Sequence, residues 1–225
     1  TFQSNGMCVA ESTPGWPIKN SRWEAKHPHE APPADGVLSL YNRGDRRRYY
    51  WNCHKCNHKY MPDFKLLRWP DSEDFLECAE MAKMHCPHCN TPIAHDRDEK
   101  NGIPGKYEMN LGGKWIKQGE IWTREGHVKG RARRSSIASF MLNGTQAGLN
   151  KWKVLVENWL QAEADYVETG SEEALKTTTN VDQGCAYLYR ALEADRLPED
   201  LKARAKDFGD KLVPPDVRFL VATVD

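Results

Sequence analysis

No stretch of this 225-residue sequence approaches the roughly 20 consecutive apolar residues that a bilayer-spanning helix needs, and no charged-then-apolar leader pattern occurs. Neither sign of charge prevails. Lys plus Arg and Asp plus Glu are both 32, so no global basic field announces a nucleic-acid partner and any such contact rests on local patches. The phosphate-cradling string G-x-x-x-x-G-K-[ST] is missing, which leaves these residues without a P-loop of their own. Internal repeats and low-complexity tracts are missing too, apart from two short cysteine pairs. Apolar residues are sparse, at 39%, with a mean hydropathy of −0.77. Eight Trp, eight Tyr and six Phe nevertheless set the chain apart from aromatic-poor disordered sequences, and its length suffices for one large domain or two small ones.

Seven cysteines are an odd number, and four of them form two C-x-x-C pairs, Cys53-His54-Lys55-Cys56 and Cys86-Pro87-His88-Cys89. This pattern argues against a secreted disulfide scaffold and for metal ligation in a reduced compartment. Two residues between paired Cys let both sulfurs of a tight knuckle reach one ion, and two knuckles complete a tetrahedron. Asn57 and Asn90 follow the second Cys of each pair, and Asn tolerates the positive φ at which such a knuckle turns back. Cys53, Cys56, Cys86 and Cys89 are therefore the expected ligands of one zinc ion. Four thiolates close its shell and leave no position for a reactive water, so the metal is a staple for a module of about 40 residues rather than a catalyst. His54, His58, His85 and His88 lie beside the knuckles as possible substitutes for a Cys. Cys8, Cys78 and Cys185 read as small core residues.

Along the chain, Met7 to Ala10 reads as a strand closed by Glu11-Ser12-Thr13-Pro14-Gly15, and residues 16–36 as an irregular, proline-rich connection. Tyr49-Tyr50-Trp51 predicts a strand entering the first knuckle, Phe64 to Trp69 another strand, and Asp74 to Lys83 a short helix. Trp115, Ile116, Ile121 and Trp122 are strand positions. Asn150 is the expected N-cap of the clearest helix, in which Trp152, Leu155, Val156, Trp159 and Leu160 form one apolar stripe of core packing. A further helix is expected from Pro198-Glu199-Asp200 to Pro214-Pro215, then a strand through Phe219-Leu220-Val221-Ala222. Together these predict a mixed α+β chain: a small four-cysteine, zinc-ribbon-like β module plus a helical linker. The terminal apolar strand leads us to expect a fragment with neighbours on both sides. Arg46, Arg47 and Arg48 beside aromatics, and Lys129, Arg131, Arg133 and Arg134, are candidate phosphate contacts, although charge runs are more often solvated faces.

The string from Tyr41-Asn42-Arg43-Gly44-Asp45-Arg46-Arg47-Arg48-Tyr49-Tyr50-Trp51 into Cys53-His54-Lys55-Cys56 resembles the large terminase subunits of lambda-like tailed phages. Further segments are similar in order: Ser139 to Gly144, where the family usually has a His between the aromatic and Leu-Asn; Trp152 to Leu160; and Asn180-Val181-Asp182-Gln183-Gly184, with Val181 in place of the usual Thr. Leu197 to Asp225 resembles the entry into that family's nuclease domain.

The resemblance implies a parent protein with an ATP-driven DNA-packaging engine and an RNase-H-like, Mg-dependent endonuclease. It divides this chain into the end of the α/β ATPase domain (1–40), the zinc-ribbon-like module (41–95), a β/helical connector (96–213) and the truncated first nuclease strand (214–225). Ser12 and Thr13 resemble the pair that couples nucleotide state to movement, and Asp225 the first nuclease carboxylate. The implied partners are double-stranded viral DNA, a small terminase subunit, a portal protein and further copies of the chain, in the host cytoplasm and not at a membrane. Without a P-loop and the remaining carboxylates, the segment alone is expected to be inactive. Two other readings are weighed against this one: a non-enzymatic zinc-ribbon adaptor for nucleic acid or protein, and a thiol oxidoreductase with reactive Cys pairs.

Overall fold

Three consecutive aromatic β-formers make β1 (Arg47–Asn52) the strand around which the fold is organised. The computed structural model describes residues 6–18, 20 and 22–190. It divides into two compact units, Thr1–Tyr189 and Arg190–Asp225, and every named strand and helix lies in the first. On β1, Arg48, Tyr49 and Tyr50 pair antiparallel with β6 (Lys114–Ile116), while Arg47 and Arg48 pair parallel with β9 (Phe140–Met141). Trp51 and Asn52 pair with β2 (Lys59–Tyr60), on the far side of the first knuckle.

Alternation gives β1 two faces. Arg48 and Tyr50 lie on the face toward α1 (Val37–Arg43) and the 27–31 segment: Arg48 stacks over the Tyr41 ring and Tyr50 meets His29. Leu38 and Tyr41 of α1 join Ala31 and Ala34 in a small core there. On the opposite face Trp51 is fully buried and donates through Nε1 to Asn110 Oδ1 at 2.9 Å, at the end of α3 (Lys106–Leu111).

Between the knuckles the chain folds back on itself. The expected strand from Phe64 to Trp69 is reduced to β3 (Leu67–Arg68), because Asp63 accepts the Lys65 N–H and winds Phe64–Leu66 into a 3-10 turn. The expected helix forms as α2 (Phe75–Met81), with Asp74 accepting the N–H groups of Leu76 and Glu77 at 2.9 and 3.2 Å. Strand β4 (Lys83–His85) then pairs with both β3 and β5 (Pro92–Ile93). A separate hairpin of β7 (Glu120–Trp122) and β8 (Val128–Gly130) follows β6.

The apolar stripe forms α4 (Trp152–Thr169), ended by Gly170 in the left-handed conformation at φ 72°. Trp152, Leu155 and Val156 are buried in one cluster with Trp51, Met84, Ile93 and the knuckle cysteines Cys53 and Cys86. Two expectations do not hold in detail. Lys151, not Asn150, occupies the N-cap, without a side-chain cap, and the Asn150 amide points to the Asp182 carbonyl instead. Met7 to Ala10 forms no strand, because a strand needs a ladder partner and none of the described strands lies beside it.

After α4 come α5 (Glu173–Thr177) and a π-helical turn, Thr178–Asp182. Here two distant sequence motifs meet. Gly144 donates to the Gln183 carbonyl at 2.9 Å, and a Cβ on Gly144 would collide with the Asp182 carbonyl oxygen. Gly184 closes the turn at φ +68°. The expected helix and strand beyond residue 197 lie outside the described residues.

Candidate metal centre and the surfaces beside it

The two knuckles share one local geometry. Asn57 N–H donates to the Cys53 carbonyl at 3.0 Å and Asn90 N–H to the Cys86 carbonyl at 2.9 Å, with φ of 58° and 57° at the two Asn. Cys53 N–H donates to His58 O and Cys86 N–H to Thr91 O, which closes each turn into a strand pair. The tight turns aim both sulfurs of each pair inward. As a result the four Sγ atoms lie within 4.8 Å of one another, the one His/Cys/Asp/Glu cluster of metal-binding form among the described residues.

The donor set fits zinc. A tetrahedral ion with Zn–S bonds of about 2.3 Å has sulfur–sulfur edges of about 3.8 Å, against 3.6 Å for Cys53–Cys89 and 3.8 Å for Cys56–Cys86. These separations are far too long for disulfides, and all seven cysteines are free. Four thiolates this close repel one another, so the cluster needs a cation to carry its full charge. When bound, zinc would supply a cross-link between the knuckles with no open coordination position.

The neighbouring His residues hold other contacts. His58 stacks on His88 with ring centroids 5.0 Å apart, and His85 Nδ1 donates to the Asn90 carbonyl at 3.1 Å. Burial raises the thiols of Cys53, Cys56 and Cys86 above their usual range. Hydrogen bonds from the Thr91 hydroxyl and backbone bring Cys89 down to about 6. The other cysteines divide: Cys78 is buried in α2 and donates to Pro70 O at 3.2 Å, Cys185 is half-buried, and Cys8 is exposed rather than in a core.

The candidate phosphate contacts fall into two groups. Arg46 is engaged internally, bonding the Glu30 carboxylate at 2.8 Å, Gln118 at 3.0 Å and the Asn42 carbonyl. Its backbone has φ 52°, and Ser139 Oγ accepts its N–H. Arg47 bonds Asp45 through Nε and Nη2 and lies over the Phe140 ring at 4.6 Å. Arg48 stacks over Tyr41 at 5.3 Å. By contrast, Arg131, Arg133 and Arg134 are exposed on the stretch that leaves β8, with Arg133 Nε donating to Gly44 O. Lys129 is exposed on β8. Ser12 and Thr13 are exposed in irregular backbone, and Ser12 lines an open depression of about 380 Å³ with Glu11, Asp35, Gly36 and Arg43. Asp225 lies outside the described residues.

Two buried titratable groups have no counterpart in the sequence reading. His29 is buried, with Nδ1 donating to Arg46 O at 2.8 Å and Nε2 accepting from the Tyr50 hydroxyl at 2.9 Å. Burial lowers it to about 4. The Lys106 ammonium is buried against the Ala147 and Asn150 carbonyls at 2.5 and 2.6 Å, and burial lowers it to about 8. Lone polar residues carry no periodicity, so only the folded loop around 143–150 reveals that Lys106 clamps the approach to α4.

Residues 1–115 match the family model for the phage terminase large subunit gpA, ATPase domain. Residues 137–225 match the model for the terminase large subunit gpA, endonuclease domain. No curated protein and no solved structure matches. All four knuckle cysteines fall in the first matched segment and α4 in the second. No described helix is long and apolar enough to cross a membrane.

Proposed function

Because the chain belongs to the phage terminase large subunit gpA family, we propose that its zinc module is the structural joint between a packaging ATPase and an endonuclease. DNA packaging by an ATP-using, DNA-cutting enzyme is the family's function. The joint is the finer reading, and one observation carries it: the zinc knuckles and α4 share a single core. Trp51 and Trp152 rings stand 6.4 Å apart and Phe64 and Trp159 rings 5.6 Å apart, so α4, in the nuclease-matching segment, is packed on the ATPase-matching segment rather than strung from it on a linker. Gln146 Nε2 adds a bond to the Tyr49 carbonyl at 2.7 Å, and Asn143 Nδ2 one to the Pro62 carbonyl at 3.1 Å.

In this reading the ATPase-matching segment holds the end of the ATPase core (1–40) and the zinc module (41–95), and a connector (96–213), which includes α4, leads to the first catalytic strand of the nuclease (214–225). Ser12 and Thr13 couple nucleotide state to movement, and Asp225 is the first carboxylate of a two-metal Mg site. Such a site needs further carboxylates and the ATPase needs a P-loop, so the 225 residues alone are inactive. Arg131, Arg133 and Arg134 meet the phosphates of double-stranded viral DNA, whereas Arg46, Arg47 and Arg48 are committed to contacts within the chain. The portal, the small terminase subunit and further copies of the chain complete the motor in the host cytoplasm.

The test uses the full-length subunit with Cys53→Ser and Cys89→Ser. The joint predicts that zinc loss abolishes ATP-driven packaging and opens a protease cut between residues 112 and 137. Packaging and protease resistance that both survive zinc loss would sink it.

A further inference from the structure

One face of β1 is covered at one end and open at the other. Trp51 is buried beneath α3 and α4, whereas two and four positions earlier the same face is half-buried, with the Tyr49 hydroxyl bonded to the Asn110 carbonyl. There Tyr49, Trp115 and Phe140 form a continuous aromatic row across three strands. Tyr49 and Trp115 are register partners with ring centroids 5.1 Å apart. Trp115 meets Phe140 at 5.1 Å, edge to face. Arg47, the register partner of Phe140, lies over its ring and is held there by Asp45. Phe140 is 53% exposed and Trp115 36% exposed. Scattered exposed aromatics need no explanation, but a connected row braced on a sheet beside a guanidinium does.

Charge decides what covers it. The whole chain is neutral, yet residues 114 to 134 hold seven basic residues (Lys114, Lys117, Arg124, Lys129, Arg131, Arg133, Arg134) against Glu120 and Glu125. Arg133 N–H donates to Gln118 O, two residues past β6, and the chain then runs into β9 and Phe140. The basic stretch is therefore continuous with both outer strands of the aromatic row. A polyanion is drawn to this edge, and ring faces beside it favour a polyanion whose π-surfaces are open. A duplex hides its bases in its own stack, whereas an unpaired strand presents one face per nucleotide.

We infer that the Arg47–Phe140–Trp115–Tyr49 face is a stacking platform for single-stranded DNA, with phosphates led along the Lys129–Arg134 edge. The inference rests on the proposed DNA contact of Arg131, Arg133 and Arg134 but adds a ligand form and residues that this contact does not need.

The experiment measures anisotropy of a labelled oligo(dT) of about 20 nucleotides, and of a duplex of the same length, titrated with the zinc-loaded 225-residue chain. The platform predicts tighter binding of the single strand and quenching of Trp fluorescence by oligo(dT). Phe140→Ala and Trp115→Leu should each weaken the single strand by about tenfold while leaving the duplex unchanged. The double variant R131Q/R134Q should weaken both and flatten their salt dependence. Variants are compared only at unchanged zinc content and melting temperature; Phe140→Leu serves if the alanine variant fails that standard. If the duplex binds through Arg131 and Arg134 but the single strand binds no tighter, or ignores the aromatic variants, the platform is refuted and the phosphate contact stands. If neither form binds, both readings fall, and the face is left to a protein surface.

Discussion

Replacing Cys86 with Ser removes one of the four expected zinc ligands while exchanging only a sulfur for an oxygen. A structural zinc supplies an apparent 10–16 kcal/mol, roughly, at neutral pH, about as much as the whole stability of a typical domain, roughly 5–15 kcal/mol. The local consequence can be worked from the packing. Cys86 lies between β4 and β5, and Met84 and Ile93, which pair across those strands, are both fully buried in the shared core. Releasing the second knuckle exposes these two side chains, at about 1.5–3 kcal/mol each. Trp51 and Trp152 lose part of their packing with them. We expect Cys86→Ser to bind no stoichiometric zinc, and to lose both near-ultraviolet dichroism and the cooperative melt of the unit. Metal analysis and a thermal scan followed at those wavelengths check this. Cys78→Ser is the control: its thiol is also buried but bonds only the Pro70 and Ser72 carbonyls, so zinc should be retained. A Cys86→Ser protein with one zinc per chain and an unchanged melt would refute the reasoning. So would a Cys78→Ser protein that loses zinc equally, because ligand identity would no longer be the variable.

His29 is held neutral, with its folded value near 4 against about 6.5 when unfolded. Its contribution is therefore intact above about pH 6.5 and is lost as pH falls toward 4, by about 3 kcal/mol. Urea melts across that range should show the slope, and His29→Gln should flatten it. Gly144→Ala forces a methyl onto the Asp182 carbonyl and should cost about 1–3 kcal/mol in a denaturant melt, with zinc content unchanged. Lys153 and Glu80 make a 2.7 Å ion pair between α4 and α2, but both side chains are about half exposed. Lys153→Ala should therefore move stability by no more than about 1 kcal/mol; a larger loss would mean that this interface rests on charge rather than on its apolar stripe.

Much of the metal site was legible because its signal is local. A C-x-x-C knuckle followed by Asn encodes its own turn, and both Asn take the left-handed conformation that the sequence predicts. The α4 stripe was legible for a similar reason: periodicity records which face is buried, and Trp152, Leu155 and Val156 are buried together. The misreadings share one cause. Met7 to Ala10 has strand-like residues but no described ladder partner, and strand formation is a property of pairs. Asn150 is a good capping residue whose amide is drawn to Asp182, far along the chain, by a contact that no local pattern encodes.

By itself the sequence determined the four cysteines that cluster, the mixed α+β class and the terminase kinship, since each resides in residue identity at short spacing. Only the tertiary structure decided what those features are attached to. It buried the knuckles in the same core as α4, engaged Arg46 and Arg48 inside the molecule, left Arg131 and Arg134 outside, and assembled Tyr49, Trp115 and Phe140 into one row from three separate strands. The physical reason is that burial and side-chain pairing depend on register between distant strands, and a register is set by the whole sheet at once.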